Sequence, residues 1–225
     1  MISLQVTGEP VYVIPDPPHC LKNARNALKT HGIRFAPNKF ARWQDFVKLV
    51  TLDGKSDLRI VPKLNMNHID LILGRNMKVN IAAQTLSHSA AVGIRTYVRL
   101  GMMPAKSLDT AEFMERVNAM FDLGNGTSPN APNSKASLTP LNFREKACQL
   151  QKCAEWVSKW RFFKDGKETH RHQFHSGWSI ALCSMAALGK RLLFSDGFEH
   201  VPLRRLSQDH IEVSFRMLCL NDVKI

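Results

Sequence analysis

Only one stretch of this chain reads as a buried strand, and it lies near the start. Val11-Tyr12-Val13-Ile14 is β-branched and aromatic, and Pro15-Asp16-Pro17-Pro18 stops it. The residues beyond it carry helical spacing. Leu21, Ala24 and Leu28 mark a short amphipathic helix with Lys22, Arg25 and Lys29 on its other faces. Phe40, Trp43, Phe46, Val47 and Val50 mark a second, which Asp53-Gly54 ends. A linker over 60–68 leads to continuous helical potential from Lys78 to Leu100, rich in small residues that allow a neighbouring backbone or a ligand to approach closely. Asp109 with Glu112 reads as a capping-box start for the helix carrying Phe113, Val117, Met120 and Phe121. Residues 124–137 are rich in Gly, Asn, Pro and Ser and read as an exposed, mobile loop. Thr139-Pro140 opens a long helix through Trp160, Lys164–Lys167 is a turn, and a further helix covers 176–194. A last helical pattern runs from Gln208 to Met217. The expectation is a mostly α fold with one early strand.

Charge narrows the partners. The 225 residues are enough for a real core, and 31 Lys and Arg against 19 Asp and Glu leave a formal charge of +12. That balance favours a polyanion, either nucleic acid or nucleotide, over a neutral partner. The five cysteines, Cys20, Cys148, Cys153, Cys183 and Cys219, fit no zinc spacing and read as reduced thiols. No apolar run is long enough to span a bilayer, so no membrane partner is expected. The first ten residues lack the pattern of a signal peptide.

Four features could carry chemistry. Asp16, at the end of the strand and followed by His19, Lys22, Arg25 and Asn26, suits a metal beside a phosphate backbone. Taken alone, it is better read as a cap on the next helix. Asp209 and Glu212 are three apart, so a helix puts both on one face, to bind metal, to read a base or simply to face solvent. Lys78 at a helix start is unfavourable for the helix dipole unless an anion such as phosphate lies there, and no Walker A pattern is present. His170, His172 and His175 lack a paired cysteine and read as a solvated basic loop rather than a zinc site.

Four blocks, in order, resemble the P-element transposase family, which includes the THAP-domain transposases. They are Asp16-Pro17-Pro18-His19 through Lys22, Arg25 and Asn26; Met77-Lys78-Val79 through Ser87; Thr110-Ala111-Glu112-Phe113 with Phe121-Asp122 and Asn125; and Leu206-Ser207-Gln208-Asp209-His210-Ile211-Glu212. The resemblance implies a helical GTP-binding insertion domain flanked by pieces of an α/β RNase H-like catalytic domain. The implied bounds are 1–30 for the first piece, 31–202 for the insertion and 203–225 for the second piece. It also implies roles. Asp16 and Glu212 would be two of three catalytic acids that hold Mg²⁺ for cut-and-paste DNA transposition. Lys63, Lys78, Val79, Ser87, Asp122, Asn125 and Asp209 would bind GTP, with lysines facing phosphates and Asp209 accepting both donors of the guanine edge. The implied partners are GTP, the DNA of transposon ends, and a full-length transposase or a second copy; the implied location is the nucleus.

The chain departs from the family in three main places and one smaller one. The first catalytic acid and the zinc-dependent DNA-binding module fall outside it, and the residues after Phe215 do not match. Leu123-Gly124 replaces the family's Ser-Leu. By itself the chain is therefore expected to be catalytically inactive. The alternative reading is a basic, non-catalytic module that binds DNA or transposase and represses it.

Overall fold

The computed structural model of the chain describes residues 4–6, 9–72, 74–132, 135–170 and 172–207. A short antiparallel hairpin, β1 (Leu4–Val6) with β2 (Glu9–Val11), opens it. The expected strand over 11–14 is thus displaced: Val11 closes β2, and residues 12–16 run on without strand pairing. Val11 and Val13 are exposed, so the run lacks the two-sided burial that its composition implied.

Helix α1 (Pro17–Thr30) begins where the Asp16 side chain accepts the His19 N–H at 3.0 Å, with Pro17 and Pro18 in the first turn. Its apolar stripe, Leu21, Ala24 and Leu28, is buried as the spacing requires. After α1 come β3 (Gly32–Ala36) and β4 (Lys39–Ala41), joined by a tight turn with Asn38 at φ 58°. Phe40 therefore lies in a strand, and α2 (Trp43–Gly54) starts later than the helical spacing suggested. Much further along, β5 (Arg161–Lys164) returns to pair with β3, and β6 (Lys167–Glu168) pairs with β5, in the antiparallel order β4-β3-β5-β6. Asp165 (φ 51°) and Gly166 (φ 76°) make the expected turn between β5 and β6, with the two left-handed residues that a type I′ hairpin needs.

Five further helices complete the described body: α3 (Val79–Thr85), α4 (His88–Arg99), α5 (Ser107–Gly124), α6 (Phe143–Ser158) and α7 (Gln173–Phe194). The run from Lys78 to Leu100 is two helices, because Ser87 leaves the helix and its side chain accepts the Ala90 N–H at 3.1 Å. Asp109 and Glu112 do not cap α5. Asp109 accepts the Phe40 N–H at 3.2 Å and Glu112 pairs with Lys39, so both tie β4 to the helix. The 124–137 loop is anchored rather than loose at its end: Leu138 and Val201 exchange backbone hydrogen bonds, and Ala136, Ser137 and Leu138 are buried.

An aromatic cluster joins the elements that are distant in sequence. Trp160 packs against Phe113 and Trp156, each at 5.0 Å between centroids, and against Trp178 at 6.2 Å. Phe35 from β3 and Phe162 from β5 complete it from the inward face of the sheet. Truncating any of the buried large aromatics to Ala removes about 3–5 kcal/mol. His172 and His175 belong to this packing, not to a solvated loop. The His172 ring lies edge-on to Phe162 at 4.6 Å and His31 at 4.8 Å, and His175 is buried beside Trp160.

Candidate functional site

A cleft of about 450 Å³ opens between the 60–64 segment and the junction of α3 and α4. Ile60, Val61, Pro62 and Leu64 form one wall; Ala83, Gln84, Ser87 and Ser89 form the other, and Lys63 stands at the rim. A mostly apolar lining with a few polar groups is the usual make-up of a small-ligand site. The break between α3 and α4 matters here, because it places Ser87 and the first turn of a twelve-residue helix at the cleft.

The wall over 60–64 is irregular backbone, and one buried carboxylate holds it. Asp53, the penultimate residue of α2, accepts N–H groups from Ile60 at 2.6 Å and Val61 at 3.2 Å. It also accepts the Tyr97 hydroxyl at 3.2 Å and the Arg59 Nε at 3.2 Å. Arg59 in turn donates to the Leu64 carbonyl. Burial, then the Asp53 charge, raises the Tyr97 pKa, which keeps that hydroxyl protonated as a donor. Close packing beneath the wall needs Gly93: a Cβ there would lie 2.9 Å from Leu49 Cδ1 and 3.1 Å from Val61 Cγ1. Gln84, one of the lining residues, is held from outside the lining: its Oε1 meets the buried His68 Nε2 at 2.8 Å.

Lys78 and Val79 enter α3 at its start, on the same short helix whose Ala83 and Gln84 line the cleft. The segment leading to them is gripped by α1. Arg25 Nη2 donates to the Asn76 carbonyl at 2.6 Å, Asn26 to the same oxygen at 3.4 Å, and Lys29 to the Ile69 carbonyl at 3.1 Å. Arg25 is fully buried, and burial pulls its pKa down to about 10. Such a burden on a cation goes with a fixed position for the Asn76 carbonyl that it holds.

Asp122 and Asn125 occupy the end of α5. Asp122 accepts from Asn118 at 3.1 Å and lies 3.6 Å from Lys135 Nζ; the Asn125 N–H closes the helix on the Asp122 carbonyl. Helices α4 and α5 form an antiparallel hairpin, pinned by Glu115, which takes Arg95 at 2.5 Å and His88 at 3.1 Å. That pairing turns the Asp122 end of α5 toward the Ser87 end of α4. Lys63 and Ser87 thus share one cleft, Lys78 and Val79 flank it along α3, and Asp122 and Asn125 are not among its lining residues. Asp209 and Glu212 lie outside the described residues. Asp16 acts as the cap of α1, and among the described residues no group of three or more His, Cys, Asp or Glu side chains is placed to hold a metal.

The residues that sequence reasoning missed are the supports: Asp53, Arg59 and the burial of Arg25. Asp53 beside Gly54 reads locally as a helix stop, which it also is. Its partners are a backbone segment and a tyrosine on another helix, and spacing carries no signal for either.

Residues 18–137 match the family described as TNP-like, GTP-binding insertion domain. Over 208 residues the chain is 32% identical to the Transposable element P transposase of Drosophila melanogaster, taking in 91% of the chain and 27% of that protein. It is 30% identical over 129 residues to the DNA transposase THAP9 of Homo sapiens, covering 56% of the chain and 14% of that protein. The chain therefore spans only a minor part of the curated relatives it matches. Among solved structures, the Drosophila P element transposase strand transfer complex superposes with a TM-score of 0.76 at 24% identity, over 92% of this chain and 46% of that one, and has the same fold.

Proposed function

Because this chain belongs to the P-element transposase family and carries that family's TNP-like, GTP-binding insertion domain, we propose that it binds GTP, with the nucleotide seated in the cleft between the 60–64 wall and the α3–α4 junction. The observation that carries this reading is the convergence of Lys63 and Ser87 on one 450 Å³ cleft. Lys63 and Lys78 serve as phosphate partners, and the N–H groups of the first turn of α4 favour an anion beside Ser87. Val79 and Asn125 belong to the same nucleotide site, Asp122 and Ser87 serve the ribose or Mg²⁺ side, and Asp209 reads the guanine edge. GTP acts as a positioning cofactor, not as an energy source.

The longer protein to which such a chain corresponds catalyses metal-dependent cut-and-paste transposition at transposon ends, in the nucleus. In that reading residues 1–30 and 203–225 belong to an RNase H-like domain, and Asp16 and Glu212 are two of its three acids. The described residues do not by themselves compose a site for Mg²⁺, so the metal assignment rests on the family resemblance of those two acids.

Isothermal titration of the purified chain with GTP and with ATP, in Mg²⁺ buffer, tests the nucleotide reading. GTP is expected to bind in preference to ATP. Lys63→Ala and Lys78→Ala each weaken it by roughly tenfold or more, the worth of a charge-assisted hydrogen bond, and Asp209→Ala removes the preference for guanine. A folded chain that binds neither nucleotide overturns the proposal.

A further inference from the structure

The outward face of the four-stranded sheet presents an alternation of arginines and phenylalanines. The register sets it out. Arg34 on β3 lies opposite Phe40 on β4 and opposite Arg161 on β5, while Gly32 lies opposite Phe163, which in turn faces Glu168 on β6. Ile33, Phe35 and Phe162 point the other way, into the core. On the outer side Arg34 stacks over the Phe163 ring at 5.1 Å, and Arg42, just past β4, stacks over Phe40 at 5.5 Å. The two rings meet edge-on at 5.4 Å although β3 runs between their strands. Gly32, opposite Phe163, adds no side chain to this face.

This face carries a positive excess. Glu168 is shared by Arg34 at 3.7 Å and Arg161 at 3.5 Å, so one carboxylate serves two guanidiniums, and Arg42 adds a third cation. Arg34, Phe40, Arg42, Arg161 and Phe163 are all partly exposed. At the Gly32–Phe163 corner a recess of about 180 Å³ opens, with Lys29, Trp43, Gln44, Lys164 and Asp165 on its sides. Two phenylalanines on the solvent side of a sheet stabilise cross-strand pairing, but that alone does not need the arginines stacked over them.

We propose that this sheet face is a binding platform for single-stranded DNA. Splayed bases stack on Phe40, Phe163 and the guanidinium planes, and phosphates run along Arg34, Arg42 and Arg161. A duplex, whose bases are stacked inside, cannot use the rings. The surface is separate from the nucleotide cleft and does not depend on GTP binding there.

The test uses the whole chain without GTP. A fluorescein-labelled, pyrimidine-rich oligodeoxynucleotide is titrated by fluorescence anisotropy, alone and as its duplex, over a range of salt. The single strand is expected to bind more tightly than the duplex. Phe163→Ala and Phe40→Ala each weaken the single-strand complex by about tenfold. Arg34→Gln lowers the slope of log affinity against log salt by about 0.7. Phe163→Leu, which keeps an apolar side chain on the sheet, has the same effect on binding while the urea midpoint stays at the parent value, so loss of fold is told apart from loss of stacking. Three results would overturn the proposal: a parent chain that prefers the duplex, sheet variants that bind the single strand like the parent, or a loss of binding produced by Lys22→Gln on α1 and not by the sheet variants.

Discussion

Replacing Asp53 by Ala is the sharpest perturbation of the candidate site that leaves every proposed ligand contact in place. The carboxylate is fully buried and accepts from Ile60, Val61, Tyr97 and Arg59. Its removal strands the buried Val61 N–H and Tyr97 hydroxyl, and leaves the one-third exposed Arg59 without its carboxylate. Each orphaned buried donor is worth about 1–3 kcal/mol, and breaking a buried charge pair from one side costs about 3–5 kcal/mol. These figures overlap, since relaxation and water entry relieve part of each. The expected loss is therefore about 3–5 kcal/mol in all. For a chain of this size that lowers the melting midpoint by roughly 6–20 °C. Urea unfolding followed by tryptophan fluorescence measures it, with Asp196→Ala as the control. The Asp196–Arg191 pair at 3.8 Å is well exposed, and such a pair contributes at most about 1 kcal/mol. An Asp53→Ala protein within about 1 kcal/mol of the parent would refute the assignment of Asp53 as the clamp of the cleft wall.

Three other perturbations probe the packing and the thiols. Gly93→Ala raises helix propensity by about 1 kcal/mol in an open position, but here the new methyl meets Leu49 and Val61, so unfolding measurements are expected to show a net loss of about 1–3 kcal/mol. Iodoacetamide at neutral pH, read by peptide mass spectrometry, is expected to label the exposed Cys148 and Cys183 and to spare Cys20, whose thiol is pushed up to about 12 by burial and then by Asp16. Burial, then His31, lowers the His172 pKa, so the unfolded chain takes up that proton first on acidification. Stability from this group is present above the ordinary histidine value of about 6.5 and falls as the pH drops below it, levelling off under the folded value. A His172→Gln variant is expected to show a flatter dependence of melting midpoint on pH across that window.

Local chemistry made part of this legible. Asp16 before Pro17-Pro18 announces the start of α1, the Leu21, Ala24 and Leu28 stripe announces its buried face, and Asp165-Gly166 announces a two-residue turn, because each is decided by atoms a few residues apart. The lysine and serine ahead of and within the small-residue stretch also stand out, and their family resemblance points to a nucleotide. The break at Ser87 was harder to see, since continuous helical spacing hides a residue whose hydroxyl replaces one backbone bond.

What sequence alone determined is the helical character of the body, the cap at Asp16 and the set of residues that mark the family. What only the tertiary structure decided is how distant segments meet. Strand β3 has five residues and β5 four, too short for periodicity to announce, and they exist as a sheet only because the aromatic cluster brings their inward faces together. The same holds for the site. Lys63 and Ser87 become one cleft only once Asp53 fixes the loop and Gly93 lets α4 press against it, since a buried hydrogen bond and a close contact depend on separation in space and not along the chain.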